Sequence, residues 1–189
     1  MVGAVKINAI KKLCMERVAF YIYNCRHGQQ FLSNGMALWP VEGITLTKAM
    51  VPALFDINDK QQEKITINEI FQDDERYTIE PMDGEEQLED LGLVYDCGNF
   101  YRALKGKDGI VFIDAALTKP GENKDGKFVY CLRARPGVAF PLVACYGDML
   151  VSAIVMPTSL ARGVMKRLEK ITYEPLNVFW REEKDQDGE

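Results

Sequence analysis

Cys25 and His27 are the one pairing in this chain whose residue types could supply a nucleophile and its base, since His27 is the only histidine. Such a pair works only if thiol and imidazole converge and a third group orients the base. The stretch NCRHGQ carries turn signals, and a lone histidine in an exposed turn is ordinarily a turn residue. No catalytic residue is therefore expected. The five cysteines, Cys14, Cys25, Cys97, Cys131 and Cys145, contain no C-x-x-C pair and with one histidine match no zinc spacing. Asp73, Asp74 and Glu75, or Glu85, Glu86, Glu89 and Asp90, could gather a hard cation, but they lack the EF-hand order and read as solvated loops. Neither a metal nor a cofactor is expected. The segment GKDG, Gly106–Gly109, lacks P-loop spacing and reads as a hairpin turn.

Charge patterning offers a second kind of chemistry. Lys6, Lys11, Lys12 and Arg17 gather on one predicted helix, and Arg162, Lys166, Arg167 and Lys170 on another. Two cationic faces of this kind could meet a nucleic-acid backbone. A solvated helix face explains them equally well, and Glu16 and Glu169 dilute both clusters. The chain as a whole carries a net charge of −5, which argues against non-specific wrapping of DNA and against attachment to anionic lipid.

The elements that would position these residues follow from periodicity. INAIKKLCMERV spaces Ile7, Ile10, Leu13 and Cys14 as one helical face, predicting a helix over about 8–17 with Asn8 as its cap. VAFYIYN predicts a strand, and CRHGQQFLSNGMALWPV two more, separated by turns at Gly28 and Asn34-Gly35. LTKAMVPALFDIND reads as a helix with Thr47 as cap, in which Pro52 needs the first turn. EKITINEIF alternates as a half-buried strand with ERYTIEP as its expected partner, and MDGEEQLEDLG reads as an acidic connection. Beyond it lie a hairpin, NFYRALKGKDGIVFID, and a short helix ending at Pro120. Three strands, KFVYCLRA, FPLVACY and MLVSAIVM, come next. A helix, TSLARGVMKRLEKI, and a charged tail close the chain. Trp39 either lines a groove or closes the edge of a core.

Antiparallel hairpins with helices on one face, in a recurring α-β-β-β rhythm, place the chain in the α+β class. Three parts are expected: residues 1–90, a second and shorter unit over 91–160, and a C-terminal helix and tail over 161–189. No apolar run approaches the ~20 residues that span a bilayer. With no signal-peptide pattern and an odd cysteine count, a reduced, cytoplasmic setting is expected.

The stretch LVSAIVMPTSL resembles the closing strand of bacterial DNA polymerase sliding clamps, which ends in a Met-Pro motif. FIDAALTKP through GDMLVSAIVMP follows the last α-β-β-β unit of that family in order. FLSNGMALWPV is similar to the family's Gly-containing strand in the first half. Departures are visible: Asn34 stands where that motif has an acid, Met36 and Ala37 replace His-Arg, and Thr158 and Ser159 replace Met-Arg.

The resemblance implies a non-enzymatic, DNA-clamp-like fold of repeated α-β-β-β units that forms a homo-oligomer. Lys6, Lys11, Lys12, Arg17, Arg162, Lys166 and Arg167 would face double-stranded DNA without reading sequence. A partner-protein peptide would enter an inter-domain pocket made by Gly35, Leu38, Ile154, Met156 and Pro157. The alternative is an adaptor or regulatory protein of the same fold, borne by a mobile element, that binds another protein and not DNA.

Overall fold

A computed structural model describes residues 6–96, 98–122, 127–134, 138, 140–160, 164 and 166. The chain is of mixed α+β class, and its strands form one ten-stranded sheet. Helix α1 spans Ile7–Glu16 and buries Ile10 and Cys14, as its spacing predicts. Lys6, not Asn8, occupies the cap position, with no side-chain cap. The Lys6 amide instead donates to the Pro120 carbonyl at 2.8 Å, tying the helix start to the second half of the chain.

Strands β1 (Ala19–Cys25), β2 (Gln30–Ser33) and β3 (Ala37–Val41) form the expected meander. The turn between β2 and β3 is built by Asn34, whose Oδ1 accepts from the Met36 and Ala37 amides at 3.0 Å each. Gly35 sits there at φ +88°, a conformation that favours glycine. The predicted helix after β3 is broken up. A 3₁₀ turn, Lys48–Met50, leads into α2 (Val51–Leu54), whose first turn takes Pro52. Asp56 at φ +48° ends it. A short α3, Asp59–Gln62, follows behind a capping box between Asn58 and Gln61.

Strand β4 (Thr66–Gln72) lies at one edge of the sheet and pairs parallel to β1 from Ala19↔Thr66 to Cys25↔Gln72. Its expected partner, ERYTIEP, is not a strand. That stretch runs as an irregular strap between Asp73 and Glu85, because its backbone groups are held by side chains and not by a ladder. The expected acidic connection is likewise corrected: Glu86–Asp96 is an eleven-residue strand, β5. Its first residues pair with β8 (Val129–Arg133) and the remainder with β6 (Asn99–Lys105), with a register shift between Asp90 and Gly92. Leu88 points into the core, while Glu89, Asp90 and Leu91 are all exposed where the register shifts from β8 to β6.

Strands β6 (Asn99–Lys105) and β7 (Ile110–Asp114) form the predicted hairpin, and a 3₁₀ segment, Ala115–Gly121, contains Pro120. Strands β8 (Val129–Arg133), β9 (Leu142–Tyr146) and β10 (Val151–Val155) complete the order β4-β1-β2-β3-β10-β9-β8-β5-β6-β7. The Thr158 amide donates to the Phe112 carbonyl at 2.8 Å, so β7 returns to the chain leaving β10. The second half of the sheet thus curls round on itself.

Alternation along the strands creates two cores. Leu32, Ala37, Trp39, Val143 and Val155 face one side, which α1, Val51, Phe55 and Leu117 cover. Phe31, Leu38, Ala144, Val151 and Ile154 face the other, where Tyr77 and Ile79 of the strap pack. Trp39 belongs to the first core. It is fully buried, and its Nε1 donates to the Leu117 carbonyl at 3.0 Å.

Candidate functional site

The five positions of the expected pocket come from opposite ends of the sequence and meet where β3 pairs with β10. Leu38 lies directly opposite Ile154, and both are fully buried on the strap side. The Met156 amide donates to the Met36 carbonyl at 2.8 Å, and Met156 packs half-buried against the same cluster. Gly35 and Pro157 are half-buried and lie beyond the same end of the antiparallel pair.

A single guanidinium fastens the strap over this cluster. Arg133, on β8, is 1% exposed. Its Nε donates to Glu85 at 2.6 Å, and Nη1 donates to the carbonyls of Arg76 and Thr78 at 2.7 Å each. Nη2 donates to the Glu80 carbonyl at 2.8 Å and to the Tyr146 hydroxyl at 2.9 Å. That hydroxyl lies 2.7 and 2.8 Å from the two Glu85 oxygens and donates to the carboxylate. All five guanidinium N–H groups are therefore used, as a buried arginine requires. Burial, reinforced by the Glu85 carboxylate, raises the Tyr146 pKa and keeps the phenol a neutral donor.

Further contacts position the strap's ends and middle. Arg76 pairs with Asp74 at 2.7 Å and donates to the Phe140 carbonyl at 2.6 Å. Tyr77 stacks on Tyr23 with ring centroids 5.7 Å apart. The Ile79 amide donates to Gln29 Oε1 at 3.2 Å, and the Ile79 carbonyl accepts from the Val151 amide at 2.9 Å. Sequence reading missed Arg133, Glu85 and Tyr146 as a group; a charged residue inside the apolar run KFVYCLRA was the one available signal.

Asp73, Glu75, Glu89 and Asp90 are exposed, as a solvated acidic run requires, and two of them are also held by arginines. Asp73 pairs with Arg26, whose guanidinium lowers the Asp73 pKa, and Asp90 pairs with Arg102. Arg26, Asp73, Asp74 and Glu75 line an open recess of about 260 Å³. Among the described residues no group of three or more His, Cys, Asp or Glu could hold a metal ion. Burial pushes the Cys14 thiol up to about 12 and those of Cys25 and Cys131 up to about 11, and raises Cys145 as well. These thiols are poor nucleophiles at neutral pH. The side chain of His27 lies outside the described residues.

The cationic positions divide. Lys6, Lys12 and Arg17 are exposed on or beside α1, with Lys12 3.9 Å from Glu16. Lys11 is half-buried, and its Nζ donates to the Asp56 carbonyl at 3.4 Å. Val164 and Lys166 have helical backbone and Lys166 is exposed, while Arg162 and Arg167 lie outside the described residues, as does most of the expected C-terminal helix. Val164 packs on Ala103 and Phe112. The neighbours of those two residues, Leu104, Val111 and Ile113, point into the core that α1 covers. Lys166 and α1 therefore stand on opposite faces of the β6–β7 hairpin.

Among the described residues no helix is long and apolar enough to cross a membrane. Compared with known protein families, curated proteins and solved structures, the chain gives no match.

Proposed function

We propose that this chain is a non-enzymatic binding protein that takes a short apolar segment of a partner protein on the strap-side face of β3 and β10. The role is that of an adaptor or regulator. The reading is carried by one observation: Leu38 and Ile154, far apart in sequence, oppose each other on one face, and Met156 packs half-buried on the cluster they share. β3 and β10 have no free edge, so a partner segment would lie across their face, its apolar side chains taking the place of Tyr77 and Ile79. In this reading α1-β1-β2-β3 is one clamp-like α-β-β-β unit, and the curled second half is a shortened one. The buried thiols of Cys14, Cys25 and Cys145, whose pKa values burial raises, favour binding over thiol chemistry.

Selection from a random-peptide display library, on the wild-type chain and on Y77A/I79A, tests the proposal. Peptides should emerge whose affinity falls at least ~10-fold, about 1.4 kcal/mol, in the M156E variant with its fold intact by circular dichroism. If neither protein selects a peptide sensitive to position 156, the reading fails.

A second reading, a clamp-like homo-oligomer on double-stranded DNA, is favoured by the exposure of Lys6, Lys12 and Arg17 along one helix. Lys166, on the opposite face of the β6–β7 hairpin, does not join that cationic face and counts against this reading.

A further inference from the structure

We infer that the strap, residues 76–85, is a built-in cover that opens as one unit about Arg133 and occupies the face on which a partner segment would lie. The purpose of this device rests on the partner-peptide reading above; its motion does not.

Three observations lead there. First, the strap has no ladder of its own. It offers the carbonyls of residues 76, 78 and 80 and the Glu85 carboxylate to a single side chain. Contacts that converge on one guanidinium are lost together when it lets go, which favours release of the segment as one unit. Second, the strap behaves as an extended ligand. Its Ile79 carbonyl takes the Val151 amide, and Tyr77 and Ile79 pack half-buried against the cluster that contains Leu38 and Ile154. An incoming peptide would offer the same kind of contacts: a main-chain acceptor and two apolar side chains. Third, both ends suit a hinge. Arg76 is fixed to Asp74 and to the Phe140 carbonyl. At the other end Gly84 sits at φ +82° in open space, immediately before Glu85 and β5.

Release is energetically conceivable for a physical reason. Arg133 exchanges its buried carbonyl and carboxylate partners for water when the strap lifts, so the opened state does not trap an unpaired charge. The cost is the apolar surface that Tyr77 and Ile79 leave behind, and a partner segment would cover it again.

Native-state hydrogen exchange on the full chain reads the motion directly. The Ile79 and Val151 amides should exchange together, at a rate insensitive to low denaturant and at least ~100-fold faster than the Ala144 and Ile154 amides. R133K should accelerate the first two by a further ~10-fold, with the gap to the latter pair kept, because the contacts it weakens are absent from both the opened and the unfolded state. Exchange of Ile79 and Val151 at the rate of Ala144 and Ile154 would overturn the inference, because the strap would then be part of the global fold. The occupancy claim has its own arm. A labelled synthetic peptide of residues 76–85 should bind Y77A/I79A at least ~10-fold more tightly than wild type by fluorescence anisotropy. Equal or absent binding to both would remove the claim that the strap stands in for a ligand. Failure of the display selection with a positive exchange result would remove the partner reading alone.

Discussion

Gly121 shows how closely this molecule is packed at a single position. A Cβ built there would lie 2.6 Å from the Ser152 carbonyl oxygen and 2.7 Å from its Cβ, contacts that real side chains do not make. The backbone of the 3₁₀ segment therefore rests directly on β10, and only glycine permits that approach. Gly121→Ala should destabilise the fold by about 1–3 kcal/mol, as overpacking does, and lower the urea midpoint without changing the slope. Trp39 makes the same point with a large side chain. Its ring fills the first core while its one donor meets the Leu117 carbonyl, so apolar burial and polar satisfaction coincide. Arg133 is the polar counterpart. Its charge is acceptable inside because Glu85 neutralises it and four further acceptors saturate the guanidinium.

Between elements, the junction of α1 and β1 carries visible strain. Val18, a β-branched residue, adopts φ +56°, and its carbonyl accepts from the Thr66 amide at 2.9 Å to begin the β1–β4 pairing. Left-handed backbone costs L-residues about 1–2 kcal/mol, and asparagine tolerates it better than valine. Val18 is exposed, so little burial is lost on substitution. Val18→Asn should therefore stabilise the chain by about 1 kcal/mol, seen as a rise of about 2–4 °C in Tm by differential scanning calorimetry. An unchanged or lower Tm would mean that the tight turn is not the strained point. Strand β5 teaches a related lesson about pattern. Four of its eleven residues are acidic, yet it holds the centre of the second half of the sheet, because one register pairs it with β8 and the next with β6.

For the molecule as a whole, the β3–β10 seam is decisive. It joins the meander to the curled half through the two register pairs Leu38↔Ile154 and Ala37↔Val155. The DNA reading is tested at this level, since it concerns the summed field of a chain with net charge −5. On that reading the chain should migrate with circular duplex DNA at about 50 mM salt, lose most of that association near about 200 mM, and lose it throughout in the K12E/R17E variant. Light scattering should then report a discrete oligomer. A monomer indifferent to DNA at low salt removes the second reading and leaves the peptide reading standing.

Local periodicity was enough to reveal α1, the β1–β2–β3 meander, the β6–β7 hairpin and the run β8–β9–β10. Each depends on side-chain alternation or helical spacing within a few neighbours. The resemblance to the clamp family, and not periodicity, brought the two strands of the β3–β10 seam to notice, as positions and not as a contact. Pairings between distant segments were not legible: β4 beside β1, β5 shared between two partners, and Arg133 reaching across to the carbonyls of residues 76, 78 and 80. Such contacts leave no period in the chain, because the free energy that selects them comes from surfaces meeting only after the strands have formed. The sequence by itself thus determined the segments whose alternation is regular, and failed at the strap and at β5, where it is not. Tertiary structure alone decided which strands became neighbours, and why an irregular strap lies where a strand was expected.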